Sequence, residues 1–169
     1  TSVAAFTERL KALRPDVVFA DPIYAKVGET AMAPYITATL AQEPDAVFAP
    51  LFGPSLGAVL KQGPGFGFFQ RTNLVTLMTV DTLQSQGAAM PADNVYGISR
   101  APFFALEQTP AVTGFIEAYR AEFKEYPTDW AINAYDGLKF YAAAAEKAGS
   151  VAPDALMAAV GEVTFDGLR

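Results

Sequence analysis

Short apolar runs alternate with helical patterns through the first hundred residues, and this alternation restricts the folds that the chain can adopt. Apolar runs begin at Val17, Ala46 and Leu74, so successive runs start about 28–29 residues apart. Residues 34–42 and 54–62 lie between them, have helical spacing and each begin with a proline. Strands that alternate with helices at this spacing form βαβ units. The sequence therefore predicts an α/β fold with a parallel sheet covered by helices on both faces.

The remaining residues predict helices rather than a longer sheet, although a fourth apolar run covers residues 95–99. Thr109 and Pro110 are residue types preferred at the N-cap and the first helical position. They precede an apolar stripe with helical spacing, made of Val112, Phe115, Ile116, Tyr119 and Phe123. Further helices are predicted over residues 129–148 and 153–161, and the final VTFDGLR is compatible with the start of another strand.

The chain has 169 residues, with no histidine and no cysteine. This composition excludes a Ser-His-Asp triad, a Cys-His dyad, zinc or haem held by these residues, and any disulfide. The net charge is −6 and no cluster of Lys and Arg occurs, which argues against a nucleic-acid partner or an anionic membrane surface. Residues 1–13 lack the features of a signal peptide. We expect neither a metal site nor a cofactor.

Three local patterns suggest chemistry but have simpler interpretations. GPGFG at residues 63–67 lacks the third glycine of a dinucleotide loop and follows a helix, so a turn is favoured. Ser55 begins a helix after a strand, but no Gly-x-Ser-x-Gly surrounds it, so a capping role is favoured. Asp129 and Asp136 share one helix face. A solvated face with an Asp136–Lys139 pair is favoured over acid–base chemistry, and a small carboxylate-dependent enzyme stays an alternative.

The carboxyl ends of the predicted strands are the expected ligand-binding edge, because ligands of open α/β sheets bind there. Phe52 and Gly53 follow the second predicted strand, and Met78 and Thr79 follow the third. Phe52 either lines a pocket or packs on a neighbouring helix. Thr79 supplies a hydroxyl, and the backbone N–H groups near Gly53 and Thr79 can meet an anionic group at a helix N-terminus.

Two long segments resemble a known family. APYITATLAQEPDAVFAPLFGPSLGAVLKQG and TPAVTGFIEAYRAEFKEYPTDWAINAYDGLKFYAAAAEKAGS are similar to segments of the type I periplasmic solute-binding proteins. These are the branched-chain amino acid class of ABC-transporter receptors. The order and spacing of the two segments agree with the family over nearly the whole chain.

The resemblance implies a two-lobed, extracytoplasmic receptor without catalytic activity, which closes on a small ligand by hinge motion and delivers it to a membrane permease. It implies that residues 1–100 are an incomplete second lobe. Residues 101–169 would be helices that pack on a first lobe absent from this sequence. The apolar stripe would then pack on a missing segment, on another copy of the chain, or in a rearranged way on the first hundred residues. An intracellular ligand-sensing module of the same fold is the alternative.

The resemblance also implies a ligand site. Phe52 matches an aromatic residue of the family, and Met78 or Thr79 stands where amino-acid-binding members have an acidic residue for the ligand's ammonium group. Asp81 is close to that place. The expected ligand is therefore a small amino acid or an aliphatic or aromatic carboxylate. With Phe103, which follows a strand leading toward the hinge, the predicted binding residues are Phe52, Gly53, Met78, Thr79 and Phe103.

Overall fold

The structure is a computed structural model that describes residues 2–169. The chain divides into two compact units, one ending at Ser99 and the other running from Arg100 to Arg169. The helices of the first unit are α1 (Ser2–Leu13), α2 (Ala33–Leu40), α3 (Gly53–Gln62), α4 (Phe68–Arg71) and α5 (Val80–Gln86). Its strands are β1 (Ala46–Ala49), β2 (Asn73–Leu77) and β3 (Val95–Ile98).

The sheet of the first unit is parallel, in the order β1-β2-β3. Its register aligns Val47 with Leu74 and Leu74 with Val95, so these side chains share one face. Apolar residues of α2, α3 and α4 pack against that face, among them Ile36, Leu40, Leu56, Leu60, Phe68 and Phe69. On the opposite face, Phe6 of α1 stacks on Phe48, with ring centroids 4.0 Å apart. The predicted parallel α/β fold with helices on both faces is confirmed.

The prediction of a strand over residues 17–20 is wrong. This segment forms no strand, and Val18 is 93% exposed. The amide of Val17 donates to the carbonyl of Arg14 at 3.2 Å, so the chain turns at the point where the strand was expected to begin. An apolar run becomes a buried strand only where a neighbouring strand offers a ladder of hydrogen bonds, and β1 pairs with β2 alone in the described sheet.

The second unit contains the helices α6 (Pro110–Phe123), α7 (Asp129–Ala148) and α8 (Pro153–Ala159). As predicted, Thr109 caps α6, because its Oγ1 accepts a hydrogen bond from the amide of Val112 at 3.3 Å. Thr128 caps α7 in the same way, through the amide of Ala131 at 3.2 Å. Residues 163–169 form no strand, but they carry Leu168 into a core with Ala101, Val112 and Ile132.

The apolar stripe of α6 is covered in part by the second unit itself, which was not among the expected arrangements. Val112 is buried, and Phe115 and Ile116 pack half-buried against the same core. Tyr119 is half-buried, whereas Phe123 is 59% exposed. Because Val112 is buried within this unit, it is not available for the predicted contact between copies. The exposed end of the stripe lies at Phe123.

None of the helices between residues 2 and 169 combines the length and the hydropathy needed to cross a lipid bilayer.

Candidate functional site

The carboxyl ends of β1 and β2 form one edge of the sheet. The two strands are hydrogen-bonded neighbours and run parallel, with Ala49 opposite Thr76. The chain then enters α3 through Phe52 and Gly53, and α5 through Met78 and Thr79. The structure therefore brings these four predicted site residues to a common edge of the first unit. Their role in binding stays a prediction.

The turn between β1 and α3 presents an aromatic ring to solvent. Phe52 has an extended backbone and is 66% exposed, so its ring does not pack into this unit. The turn is held by the amide of Leu51, which donates to the carbonyl of Ala49, and by Thr76 Oγ1, which donates to the carbonyl of Leu51 at 3.4 Å. Gly53 has φ of +55°, a conformation that favours glycine at the entry to α3.

The turn between β2 and α5 divides its two predicted residues between the core and the surface. The side chain of Met78 is buried, and its backbone amide donates to the carbonyl of Ile98 at 3.0 Å. Thr79 is half-buried, and its Oγ1 lies 3.2 Å from Oγ1 of Thr82. Asp81 is exposed in the first turn of α5. Thr79 and Asp81 are therefore the polar side chains of this turn that are not buried.

Phe103 lies in the second unit and is engaged with its neighbours. Its ring stacks on Tyr126, with centroids 4.6 Å apart and an interplanar angle of 4°. The guanidinium carbon of Arg120 lies 4.4 Å from the centroid of the Tyr126 ring, which is a cation–π contact. One face of Phe103 is thus already covered within its own unit.

Ser55 does not have the capping role that its position suggests. No side chain caps α3, whose N-cap residue is Phe52, and Ser55 lies inside the first turn with only 7% of its surface exposed. The sequence favoured a capping role because a serine directly follows a Gly-Pro pair after a predicted strand. The sequence does not show that Ser55 is buried and caps nothing.

Asp129 and Asp136 are buried, so the predicted solvated face is wrong. Asp136 accepts hydrogen bonds from the backbone amide of Leu168 and from Nε of Arg169, and Oδ2 of Asp129 accepts from the amide of Arg100 at 3.2 Å. Lys139 donates instead to the carbonyl of Asp166, at 3.1 Å. Both carboxylates hold backbone segments in place. Among residues 2–169, no group of three or more acidic side chains is arranged to hold a metal ion.

Comparison with known proteins identifies the family. A family model described as "Periplasmic binding protein" matches residues 1–169. The chain belongs to this family. The resemblance predicted from the two sequence segments is therefore confirmed. A comparison with curated proteins gave no match.

Solved structures of periplasmic binding proteins share the fold. An amino acid ABC transporter substrate-binding protein from Pseudomonas fluorescens Pf-5 superposes with a TM-score of 0.79 at 20% identity, covering 98% of this chain and 44% of that chain. A solute-binding protein from R. palustris in complex with benzoate superposes with a TM-score of 0.79 at 16% identity. The match covers 98% of this chain and 45% of that chain. A solute-binding protein from Rhodopseudomonas palustris BisB5 in complex with 3,4-dihydroxybenzoic acid superposes with a TM-score of 0.72 at 24% identity. The match covers 93% of this chain and 43% of that chain.

These matches confirm the predicted fold class, an α/β lobe of a type I periplasmic binding protein followed by helices. The chain spans less than half the length of each of the three structures.

Proposed function

We propose that this chain is part of an extracytoplasmic solute receptor of an ABC importer. The receptor binds a small amino acid or an organic carboxylate between two lobes and passes it unchanged to a permease in the membrane. Membership of the periplasmic binding protein family supports this proposal. Two of the solved relatives contain benzoate and 3,4-dihydroxybenzoic acid, which supports aromatic carboxylates as candidate ligands for this chain.

The single observation that carries the proposal is the exposed ring of Phe52 at the carboxyl end of β1. A large aromatic side chain that is 66% exposed at the edge where α/β proteins bind ligands is suited to cover the apolar part of a small molecule. The hydroxyl of Thr79 follows the neighbouring strand and supplies a polar group at the same edge. A site of this kind has a mainly apolar lining and a few polar groups that orient the ligand.

Exposed apolar surfaces in both units support the predicted lobe assignment. On the sheet, Tyr96 and Ile98 are more than half exposed. On α7, Leu138 is 71% exposed and Tyr141 is also exposed. Apolar surfaces of this kind are usually covered in a complete protein. We therefore propose that residues 1–100 belong to a second lobe and that residues 101–169 pack on a first lobe.

The roles of Asp129 and Asp136 favour a receptor over an enzyme. These residues were the best carboxylate pair for acid–base chemistry, but both hold backbone amides within the second unit. Acid–base catalysis requires a carboxylate within reach of a substrate. We propose that the ligand leaves the protein chemically unchanged.

A thermal-shift screen of the full-length protein tests the proposal. The panel contains L-leucine, benzoate and 3,4-dihydroxybenzoate, and the recovered compounds are analysed by NMR. A ligand at one hundred times its Kd stabilises the folded state by about 2.7 kcal/mol, so binding raises the midpoint temperature measurably. Stabilisation with full recovery of the compound supports a receptor. Formation of a product, or no stabilisation by any compound, would contradict it.

Cell fractionation tests the location. An extracytoplasmic receptor is recovered from the periplasmic or extracellular fraction, together with its ligand-binding activity. Recovery from the cytoplasm alone would favour the ligand-sensing module of the same fold.

A further inference from the structure

Aspartate is followed directly by glycine at two places in the chain, Asp136–Gly137 and Asp166–Gly167. In such a pair the backbone nitrogen of the glycine can attack Cγ of the aspartate side chain and close a succinimide ring. Glycine favours this step because it places no Cβ beside the attacking nitrogen. The ring closes only if the backbone at the aspartate can rotate, so the surrounding structure decides whether a given pair reacts.

The structure protects the pair Asp136–Gly137. It lies inside α7, where the backbone is fixed in the helical conformation and each amide donates to the carbonyl four residues earlier. The carboxylate of Asp136 is 2% exposed, and it accepts hydrogen bonds from the amide of Leu168 and from Nε of Arg169. Both reacting groups are therefore engaged, and α7 must open locally before they can meet.

The structure leaves the pair Asp166–Gly167 open to the same reaction. Residues 163–169 form neither a helix nor a strand, and Asp166 is exposed. Within residues 2–169, the carboxylate of Asp166 has no hydrogen-bond or ion-pair partner, and the amide of Gly167 donates to no group. The attacking nitrogen and the carbon that it attacks are therefore both free to react.

Lys139 is placed to activate the attacking nitrogen. Its Nζ donates to the backbone carbonyl of Asp166 at 3.1 Å, and this carbonyl belongs to the peptide bond that contains the nitrogen of Gly167. A peptide nitrogen attacks after it has lost its proton, which leaves a negative charge shared between the nitrogen and the carbonyl oxygen. A cationic donor at that oxygen stabilises the charge, as the donors of an oxyanion hole do.

We propose that Asp166–Gly167 is a site of spontaneous modification, at which Asp166 converts to isoaspartate and Lys139 promotes the conversion. The nitrogen of Gly167 forms a bond to Cγ of Asp166, and the bond between Cγ and one carboxyl oxygen breaks. That oxygen leaves as water with the amide proton and a proton from solvent. Water then opens the ring at its backbone carbonyl to give isoaspartate, or at the other carbonyl to restore aspartate. The reaction involves no ligand and is independent of the proposed receptor function.

The product does not fit the structure around it. Isoaspartate adds one carbon to the main chain directly before Gly167, where space is so short that a Cβ on this glycine would lie 3.2 Å from the carboxylate of Asp136. The next residue, Leu168, lies in the core of the second unit and donates to Asp136 Oδ1 at 2.7 Å. A main chain lengthened at this point moves Leu168 out of both contacts, so the modification loosens this end of the second unit.

Incubation of the full-length protein at physiological temperature tests the site. Samples are digested at successive times, and isoaspartate is located by electron-transfer dissociation mass spectrometry, which distinguishes it from aspartate although the masses are equal. We expect isoaspartate to form at position 166 at least about tenfold faster than at position 136, a ratio that about 1.4 kcal/mol of local opening in α7 produces. Asp93 is exposed in an irregular segment but is followed by Asn94, so it controls for exposure alone and should stay unmodified.

Two variants separate the reaction from its activation. Lys139→Met removes the cation from the peptide carbonyl and should slow the formation of isoaspartate at position 166. Asp166→Glu keeps the charge but disfavours ring closure, so no product should form there. Amide hydrogen exchange at Leu168 should accelerate as the wild type ages and should stay unchanged in Asp166→Glu.

Three results would contradict these expectations. Equal rates at positions 136 and 166, or no product at position 166, would overturn the modification site. An unchanged rate in Lys139→Met would overturn the role of Lys139. Unchanged exchange at Leu168 in the modified wild type would overturn the loosening of the second unit.

Discussion

Asp136 Oδ1 accepts a hydrogen bond from the backbone amide of Leu168, with 2.7 Å between the two atoms. The other oxygen, Oδ2, lies 3.1 Å from Nε of Arg169 and forms a salt bridge. A single buried carboxylate in the middle of α7 thus fixes the last residues of the chain. Gly167 fits closely beside it, because a Cβ at this position would lie 3.2 Å from the carboxylate atoms.

Removing this carboxylate should destabilise the second unit. Asp136→Ala leaves the amide of Leu168 and the guanidinium of Arg169 without their acceptor, so we expect the free energy of unfolding to fall by about 2–3 kcal/mol. Asp136→Asn keeps one acceptor oxygen and should cost about 1 kcal/mol. Urea unfolding followed by circular dichroism measures both changes. Asp93→Ala, at an exposed carboxylate, is the control. Equal stability of Asp136→Ala and the control would contradict this assignment.

A methyl group at Gly97 should disturb the strand that leads to the predicted site. A Cβ added at Gly97 would collide with the side chain of Met78, with Cγ at 3.0 Å and Cβ nearer still. Because Met78 is buried and its Cβ is fixed to the backbone, Gly97→Ala should cost about 1–3 kcal/mol, as overpacking does. Gly65→Ala, which has open space around it, is the control. The prediction is wrong if thermal unfolding shows the two variants to be equally stable.

The core of the first unit depends on α3. Leu60 is completely buried against the sheet, so Leu60→Ala leaves a cavity and should reduce the free energy of unfolding by about 2–5 kcal/mol. Leu13→Ala removes a mostly exposed side chain and should change it by less than about 0.5 kcal/mol. Chemical denaturation of the two variants separates these outcomes. A small effect at Leu60 would mean that the helix does not pack as described.

The loop before α2 should respond to acid through Glu29. Its Oε1 accepts hydrogen bonds from the amides of Ala31 and Thr30, at 2.8 and 2.9 Å, and these bonds hold the pKa of Glu29 below its ordinary value of 4.5. A lowered pKa in the folded state stabilises the fold above the unfolded pKa, and the contribution is lost as the pH falls through the folded value. An NMR titration of the Glu29 carboxyl carbon should give a midpoint below 4.5. A midpoint at or above that value would contradict the two hydrogen bonds.

The parts of the fold that sequence reasoning anticipated are those with strong local signals. The helix predicted over residues 129–148 matches α7 residue for residue, and the structure shows Thr128 capping its start and Gly149 ending it with a positive φ. The positions of Phe52 and Thr79 after β1 and β2 were also predicted, because an apolar run precedes each residue and a helical segment follows it. These features depend on neighbours in sequence, which a single chain displays directly.

The features that sequence reasoning missed depend on distant partners. The apolar run at residues 17–20 has a strand-like composition but no strand beside it. Asp136 has the helical position of a surface residue, yet Leu168 and Arg169 bury it from 32 and 33 residues away in sequence. Ser55 follows a predicted strand and begins a helix, so it resembled a cap. Its burial inside the first turn of α3 is set by packing against residues distant in sequence. Such contacts come from tertiary structure, which a local pattern does not encode.

The role of Phe52 in binding gives the most direct test of the account. Isothermal titration calorimetry on the full-length protein compares the wild type, Phe52→Ala and Phe66→Ala with benzoate and L-leucine as probes. Phe66 is a second exposed phenylalanine of the first unit and lies between α3 and α4 rather than directly after a strand, so it controls for the loss of surface aromatic area. We predict that Phe52→Ala weakens binding about tenfold or more, as the loss of a buried aromatic contact does, while Phe66→Ala binds as the wild type. Unchanged affinity in Phe52→Ala, or no binding of either probe by the wild type, would contradict the account.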